Sequence, residues 1–413
     1  MKKLLALVVV LVIVSALTYG MVAPTQAQDE EPIRIGTSLS LTGFLSATAI
    51  IHQITGQAFV DNLNENGGLL GRPVEWIVLD DESSPDNAAA LYERLITEDE
   101  VDLLIGPYGT GNITAAMGVA ERYGYVFPHH TASLVYAYTY EYHFPSWSVG
   151  VNTHITTNNI LYDALDSTGT PPQTIAFVVN EFPGTQFLAF GHESVDPGGA
   201  VLMAEERGYE VVLVTEFPTV QPDFGPIAAE VRDADPDFLW MGALGVDGPN
   251  LIEAMAALDY TPPGMFFMWP APGPLLNAGE AAEGSMSVTL FEEQDPFLSY
   301  PQADVMVELF NERAEEAGLP YTKVETQSAA SWAAWQILIQ GVEGAGSLDQ
   351  EEIGNWLLEN GASTVQGELT FNPDENNYGP DLDKIKQIQD GEWVVVWPEE
   401  FSDGNEVRYS PDR

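Results

Sequence analysis

Val101-Asp102-Leu103-Leu104-Ile105-Gly106-Pro107-Tyr108-Gly109-Thr110-Gly111-Asn112-Ile113-Thr114 is the stretch on which the fold turns. It reads as a short apolar strand (Val101 to Ile105), a glycine-rich loop and the start of a helix running from Thr114 to Tyr123. Strand, loop and helix in that order form half of a βαβ unit, and the neighbouring sequence supplies the rest. Upstream, Ile33 to Ser38 is an apolar strand followed by the turn Leu41-Thr42-Gly43. A helix-period stripe follows, with Ile50, Ile51, Ile54, Ala58, Phe59 and Leu63, closing at Asn66-Gly67-Gly68. Val74 to Leu79 is the next strand. Ser84 as N-cap and Pro85 at the first helical position then open a helix to about Glu98. Tyr125 to Pro128 follows as a further strand.

The alternation restarts beyond residue 150. Strands are expected at Ile175–Val179, Val211–Thr215, Phe238–Met241 and Met265–Trp269. Helices are expected at Ser194–Arg207, Gly225–Asp233 and Asn250–Leu258. Alternating βα order implies parallel sheets covered on both faces. The fold class is therefore α/β, with two doubly wound parallel-sheet lobes. Further helices near Ala303–Ala317, Ser328–Gly341 and Gln350–Glu359 precede a strand-rich end. That end holds Glu368–Phe371 and a hairpin of Ile385–Gln389 with Trp393–Trp397 across Asp390-Gly391.

The first residues carry Lys2 and Lys3, an unbroken apolar run from Leu4 to Val14, and a small-residue cleavage site ending at Ala27. This is the pattern of a secretory signal peptide, and the apolar run is short for a membrane span. The expected location is therefore outside the cytoplasmic membrane, in a periplasm or extracellular space. The chain has no cysteine, which excludes disulfides, thiolate metal sites, a catalytic thiol and attachment through a lipidated N-terminal cysteine. Against 14 basic residues stand 62 acidic ones, a net charge of −48. Such a field repels nucleic acid and anionic membrane surfaces, so neither is an expected partner. The carboxylates are spread along the whole chain, which marks a solvated surface and not one acidic site.

No catalytic motif is present: no phosphate loop ending in Lys-Ser/Thr, no nucleophile elbow, no paired-histidine zinc helix. The chain is not expected to be an enzyme or to carry a cofactor or metal. His129 and His130 are adjacent at a strand end, so they face opposite ways and cannot share one metal. Asp80, Asp81, Glu82 and Asp86 lack calcium-loop spacing and are expected to cap a helix. The stretch 106–114 has a different character. It sits at the carboxyl end of a parallel strand, where open α/β sheets bind ligands. Thr110, Asn112 and the N–H groups of the helix start suit an anionic group such as a carboxylate. Pro128-His129-His130-Thr131-Ala132-Ser133 ends the next strand on the same rim. Tyr136, Tyr138, Tyr140, Tyr142 and Phe144 alternate beyond it and read as packing more readily than as a ligand wall.

These residues resemble the type 1 periplasmic binding proteins, in particular the leucine/isoleucine/valine-binding family of ABC importers. The resemblance rests on Ile33-Arg34-Ile35-Gly36 with Leu41-Thr42-Gly43, on Asn66-Gly67-Gly68-Leu69-Leu70-Gly71-Arg72-Pro73 and Asp80-Asp81, and on Val101 to Pro107. It continues in Ala281-Ala282-Glu283-Gly284 and Gly367-Glu368-Leu369-Thr370-Phe371. It implies two lobes joined by three hinge crossings, closing on a small-molecule ligand that is handed to a membrane permease. The expected divisions are residues 1–27 signal peptide, 32–150 first part of lobe 1, and 151–284 first part of lobe 2. Residues 285–362 are then the second part of lobe 1, 363–398 the closing strands of lobe 2, and 399–413 a loose acidic tail.

The resemblance also implies that Thr110 and the loop of His129, His130 and Thr131 hold the ligand's polar end, while the aromatic it places near 180–185 is displaced to Phe182 or missing. Tyr108, Phe182 and Trp269 are expected to cover the apolar part. Ala271 stands where the resemblance places an acidic residue for an ammonium, and Leu244 where it places a tyrosine. Burying an ammonium without a counter-charge costs several kcal/mol, which argues against a plain α-amino acid. Asp247 is a substitute only if its loop swings into the cleft. The expected ligand is a small carboxylate, amide or amino-acid-like molecule. The alternative to transport is a sensory module with the same fold.

Overall fold

Ile33–Leu39 (β1) is buried almost throughout, as a strand covered on both faces must be. It runs parallel to β2 (Val74–Asp80), with Ile33 opposite Val74, and to β3 (Leu103–Leu104), with Ile35 opposite Leu103. The sheet order is β2-β1-β3. A parallel pair, β4 (Phe127–His129) and β5 (His143–Pro145), extends this layer through the Gly106 N–H, which donates to the Pro128 carbonyl at 2.8 Å. The structure is a computed structural model and describes residues 31–130 and 134–411. The expected signal peptide, residues 1–27, lies outside the described residues.

The helices around this sheet start and stop where local chemistry tells them to. Ser84 accepts from the Asn87 N–H at 3.3 Å with Pro85 in the first turn, and the helix Pro85–Thr97 follows. The helix Ser46–Glu65 ends in Gly68, whose φ of +73° lets its N–H reach the Leu63 carbonyl at 2.9 Å. A Cβ at Gly68 would lie 1.9 Å from the Arg72 carbonyl oxygen, so only glycine fits there. Asp80 and Asp81 do not cap a helix as expected. Asp81 is buried and accepts from Ser38 Oγ at 2.8 Å, Ser40 Oγ at 2.6 Å and the Ser83 N–H at 3.0 Å. Asp80 accepts from Thr42 and the Glu82 N–H. Both tie the loop after β1 to the loop after β2.

The second half is built on β6 (Thr174–Asn180), β7 (Glu210–Phe217), β8 (Phe238–Gly245), β9 (Gly264–Pro270) and β10 (Met286–Thr289), all parallel to their neighbours. A short hairpin, β11 (Ala362–Thr364) and β12 (Gly367–Leu369), follows much later in the chain. Then β13 (Lys384–Gln389) joins β10 antiparallel, and β14 (Glu392–Trp397) joins β13. The complete order is β14-β13-β10-β9-β8-β6-β7, a mixed sheet with an antiparallel pair at one edge. The Asp390-Gly391 turn closes the last hairpin, with positive φ at both residues.

Each sheet has its own cores. Trp332, Trp335, Phe59 and Phe310 belong to one packed against the first sheet, and Trp240, Phe177, Phe266 and Tyr162 to one packed against the second. The chain crosses between the halves three times among the described residues: at Ser146–Gly150, after Thr289, and before Lys384. The first and third crossings are laced together by the Leu382 N–H donating to the Ser148 carbonyl at 3.0 Å and by a bridge of Val149 with Asp381.

Two expected divisions therefore move. Met286–Thr289 belongs to the second sheet, because Met286 and Val288 are buried in its core. The hairpin at 362–369 packs in the first half, because Ala362, Val365, Leu369 and Phe371 are buried with Trp335. The segment expected as one helix, Ser194–Arg207, is helical only at Ala200–Glu206, since Pro197-Gly198-Gly199 interrupts it. An unexpected helix precedes it at Pro183–Phe190. The acidic end is not loose through residue 411. Gln387 donates to the Arg408 carbonyl and Gln389 to the Glu406 carbonyl, both at 2.8 Å, and the Tyr409 ring packs edge-on against Phe238. No helix of the described residues is long and apolar enough to cross a membrane.

Candidate functional site

In a doubly wound sheet the loops on either side of the point where strand order reverses diverge and leave a crevice at the carboxyl ends of the strands. The first sheet reverses between β1 and β3, and the second between β6 and β8. Leu45 follows β1 and Tyr108-Gly109-Thr110 follow β3. Phe182 follows β6 and Leu244 lies at the end of β8. All of these line one cleft of about 520 Å³, its open mouth included. Its mostly apolar and aromatic lining with a few polar groups is of the kind that takes a small organic ligand. Trp147, Val149, Thr153, Thr157, Leu188, Met268, Trp269, Val288, Gln327 and Asp383 complete its wall.

The backbone is specialised at two places. Gly109 takes φ +93° ahead of the helix Thr110–Tyr123, and a Cβ there would come 2.7 Å from Leu45 Cδ1. Trp269 takes φ +52°, a conformation that costs a bulky residue about 1–3 kcal/mol and holds its indole in the cleft. A bulge in β8 between Gly242 and Gly245, with the Ala271 N–H donating to the Gly245 carbonyl at 2.7 Å, supports that turn. The Trp269 and Trp147 rings meet edge-to-face, 6.3 Å apart.

Helices begin at the cleft from both halves. Thr110 and Thr153 are first residues of helices, Phe182 precedes one, and Gln327 is in the first turn of another. Glu325 caps the last of these in a reciprocal box with Ser328, while no side chain caps the helices starting at Thr110, Thr153 and Pro183. Their N-terminal N–H groups favour an anion. Opposing them is the Asp383 carboxyl, which accepts from the Thr157 hydroxyl at 2.5 Å. Burial, followed by the like charge of Asp381, pushes the Asp383 carboxyl up to about 8.

Of the residues expected at a ligand, Tyr108, Thr110, Phe182 and Trp269 come together in the cleft wall. Asn112 does not: its amide donates to Ser40 Oγ at 3.2 Å and joins the Asp81 network. His130 does not either. It stacks at 4.0 Å on His52, whose ring in turn lies 4.7 Å from Tyr108, so it stands behind the wall. Burial holds the His130 imidazole down at about 3. Burial and then His130 hold His52 well below the ordinary range, against the pull of the nearby Gln327 amide. Thr131 lies outside the described residues. His129 turns the other way, its Nε2 3.0 Å from His143 Nδ1, and no group of metal-ligating side chains occurs among the described residues. The tyrosine alternation is packing: Tyr138, Tyr140 and Phe144 are buried, and Tyr136 stacks on His192.

Asp247 keeps to its own loop. It accepts from Asn180 Nδ2 at 3.0 Å and the Leu244 N–H at 3.2 Å, and burial pushes its carboxyl up to about 6. Sequence reasoning missed Asp383, Thr153, Thr157, Trp147 and Gln327. Asp383, Thr153 and Trp147 lie at or beside chain crossings, and no local motif marks them.

The sequence matches the family profile described as Periplasmic binding protein over residues 32–378. A Leu/Ile/Val-binding protein homolog 1 from Brucella melitensis biotype 1 is 24% identical over 355 residues, 82% of this chain and 86% of that protein. A protein described as chemotactic signal transduction system substrate-binding protein BasB, from Halobacterium salinarum, is 33% identical over 87 residues, 21% of either chain. Among solved structures, the substrate-binding protein LivJ from Streptococcus pneumoniae, in complex with isoleucine, superposes with a TM-score of 0.71. The match has 17% identity over 89% of this chain and 100% of that one. A solute-binding protein of an ABC transporter from R. palustris, in complex with benzoate, gives 0.70 at 18% identity, over 90% and 99%. The reversal-point cleft shared between two α/β halves and a profile match across nearly all of the described chain lead to one assignment: the chain belongs to the periplasmic binding protein family.

Proposed function

We propose that this protein is an extracytoplasmic solute receptor of an ABC importer that takes a small carboxylate, amide or amino-acid-like ligand into the cleft between its two sheets. One observation carries this reading. The wall draws Thr110 and Tyr108 from the first half and Phe182, Trp147 and Trp269 from the second, so a ligand touching both holds the halves together. Thr110 and the first N–H groups of its helix receive the polar end, and the aromatic rings cover the apolar part. His52 and His130 back Tyr108, and Asn112 holds the loop through Ser40. Closure of the halves is what a membrane permease would recognise.

Thr110→Ala tests the polar end. The contacts made to the Thr110 carbonyl by Tyr138 and Thr114 are backbone contacts and survive the change. The variant is expected to fold normally and to lose about 1.5–3 kcal/mol of affinity for an anionic ligand, roughly ten- to a hundredfold. Titration calorimetry of a panel of small carboxylates, amides and amino acids against both proteins measures it. An unchanged affinity removes Thr110 from the site, and a panel without a single binder removes the receptor reading for these ligand classes.

The similarity to the Halobacterium chemotactic substrate-binding protein favours a second reading, a sensory receptor that signals to a transducer. Uptake of a labelled ligand in a deletion strain separates the two. Loss of uptake supports import; loss of taxis with normal uptake supports sensing.

A further inference from the structure

Among the described residues Asp383 is the only one of the cleft wall with an ordinarily charged side chain; no described lysine or arginine joins it there. It is 4% exposed. Its Oδ2 is engaged by Thr157, whereas Oδ1 is buried without a hydrogen-bond partner. Lys384, next in the chain, favours the charged form of Asp383 but does not outweigh burial and Asp381. The Lys384 ammonium donates to the Leu382 carbonyl and sits 4.4 Å over the Phe401 ring. The other groups acting on Asp383 are the carboxyl of Asp381, which opposes its charge, and the side chains of Thr157 and Trp147, which favour it. Trp147 is the one further side chain that favours the charged carboxyl through a hydrogen bond, and Oδ1 makes none of normal geometry. A buried carboxyl oxygen short of donors is costly, and the cleft is the space from which a further donor can come. Trp147 interacts with it, Trp269 packs edge-on against Trp147, and Phe182 and Tyr108 line the same cleft; the faces of such rings attract cations.

We propose that Asp383 Oδ1, flanked by the Trp147–Trp269 wall, seats a protonated amine, so that the ligand of this cleft carries an N–H-bearing ammonium. The proposal deepens the receptor reading above and rests on it. It reverses the expectation drawn from Ala271: the counter-charge comes from the third chain crossing instead of the end of β9. A ligand with an ammonium at Asp383 and a carboxylate at Thr110 would engage both polar ends of the cleft. Asp383 is largely protonated at pH 7, because burial and Asp381 push it up to about 8 and Lys384 only partly offsets them. An arriving ammonium favours the charged form, so binding displaces a proton from Asp383 to solvent.

The test is titration calorimetry of the purified protein at pH 7 in two buffers of different ionisation enthalpy. The probes are an amino-acid panel, each member matched with the acid that lacks its amine; the pairs include L-leucine with 4-methylpentanoate and L-phenylalanine with 3-phenylpropanoate. An amino member is expected to bind about a hundredfold more tightly than its partner, about 2.7 kcal/mol, with release of close to one proton. Asp383→Asn is expected to weaken the amino member by a similar factor, to leave the amine-free acid within about threefold, and to abolish proton release. The wild-type pair comparison stands even if the variant does not fold. Equal affinity for both members of a binding pair, or binding without proton release, overturns the ammonium seat and leaves the receptor reading intact. A panel with no binder at all overturns both.

Discussion

Replacing Lys386 with methionine is expected to destabilise the protein by about 3–5 kcal/mol at pH 8. Lys386 lies on β13 and its Nζ is 2.7 Å from Glu292 Oε1, with the two side chains only 3% and 4% exposed. The same Glu292 oxygen accepts from Thr289 Oγ1 at 3.0 Å, and the ammonium sits 4.7 Å over the Trp393 ring. Glu325, the cap of the helix Thr326–Ala345, shares this field. Burial pushes its carboxyl up to about 7; Lys386 opposes that shift and Glu292 adds to it. One ammonium thus serves two buried carboxyl groups at the second crossing between the halves. Removing it leaves like charges out of water, and their remaining relief is to take up protons. A carboxyl whose folded value is raised keeps its proton where the unfolded chain has lost it, so stability falls as pH rises from the unfolded value through the folded one. Without Lys386 that window extends upward, and the deficit of the variant should shrink markedly between pH 8 and pH 5. Urea unfolding at both pH values measures it. A loss under about 1 kcal/mol at pH 8, or one independent of pH, would show that the pair does not hold this crossing. Combining Lys386→Met with Glu292→Leu should recover much of the loss, since an apolar replacement of a buried pair is often neutral.

The parts of this molecule legible in the sequence are those written locally. Ser84-Pro85, Asn66-Gly67-Gly68 and Asp390-Gly391 each determine their own turn or cap, and the structure has each where it was expected. Strands such as Ile33–Leu39 and Thr174–Asn180 are apolar runs of ordinary length and announce themselves. His143–Pro145 and Met286–Thr289 do not, being short and defined by the partner strand alone. In the candidate site, the place of Tyr108, Thr110, Phe182 and Trp269 along one cleft could be read because each ends a recognisable strand or follows one, on the rim where such sheets bind ligands. Asn112 looked equivalent to Thr110, but the two lie at different angles on one helix, and Asn112 turns inward to Ser40. Asp383 was invisible for the opposite reason. Its neighbours Thr157 and Trp147 are far away in sequence, and only the chain crossing brings them together.

Stability is expected to peak near pH 6.5 and to fall on the acid side because of the buried histidines. His52, His129, His130 and His143 are each at most 2% exposed. They stack in pairs, His52 on His130 and His129 beside His143, and no carboxylate forms an ion pair with any of them among the described residues. Nδ1 of His129 and of His130 has no hydrogen-bond partner, and the Gln327 amide is the one group that favours a proton on His52. Burial is the first cause in every case, and it holds His130 at about 3 and His143 at about 4, with His52 and His129 also well below the ordinary range. The sign follows directly. Below about pH 6.5 the unfolded chain binds protons that the folded rings refuse, so stability is lost as pH falls, by up to about 1.4 kcal/mol per pH unit for each ring. Asp247, Glu325 and Asp383 act in the other direction, since their folded values of about 6, 7 and 8 make the native state the better proton binder above pH 4. Below pH 6 the histidines outweigh them; between pH 7 and 8 the carboxyl groups dominate and stability declines, until the Lys384 ammonium, held down at about 8 by burial, loses its proton in the fold and opposes them. The net charge of −48 adds a general repulsion that rises with pH, so the profile should be measured at high salt, where that contribution is screened. His130→Gln should flatten the acid limb by about one proton and move the maximum to lower pH, while leaving the limb above pH 7 in place. An acid limb unchanged in that variant would mean that the ring is already charged in the folded protein, and that the stacked pair behind Tyr108 is not the neutral layer described above.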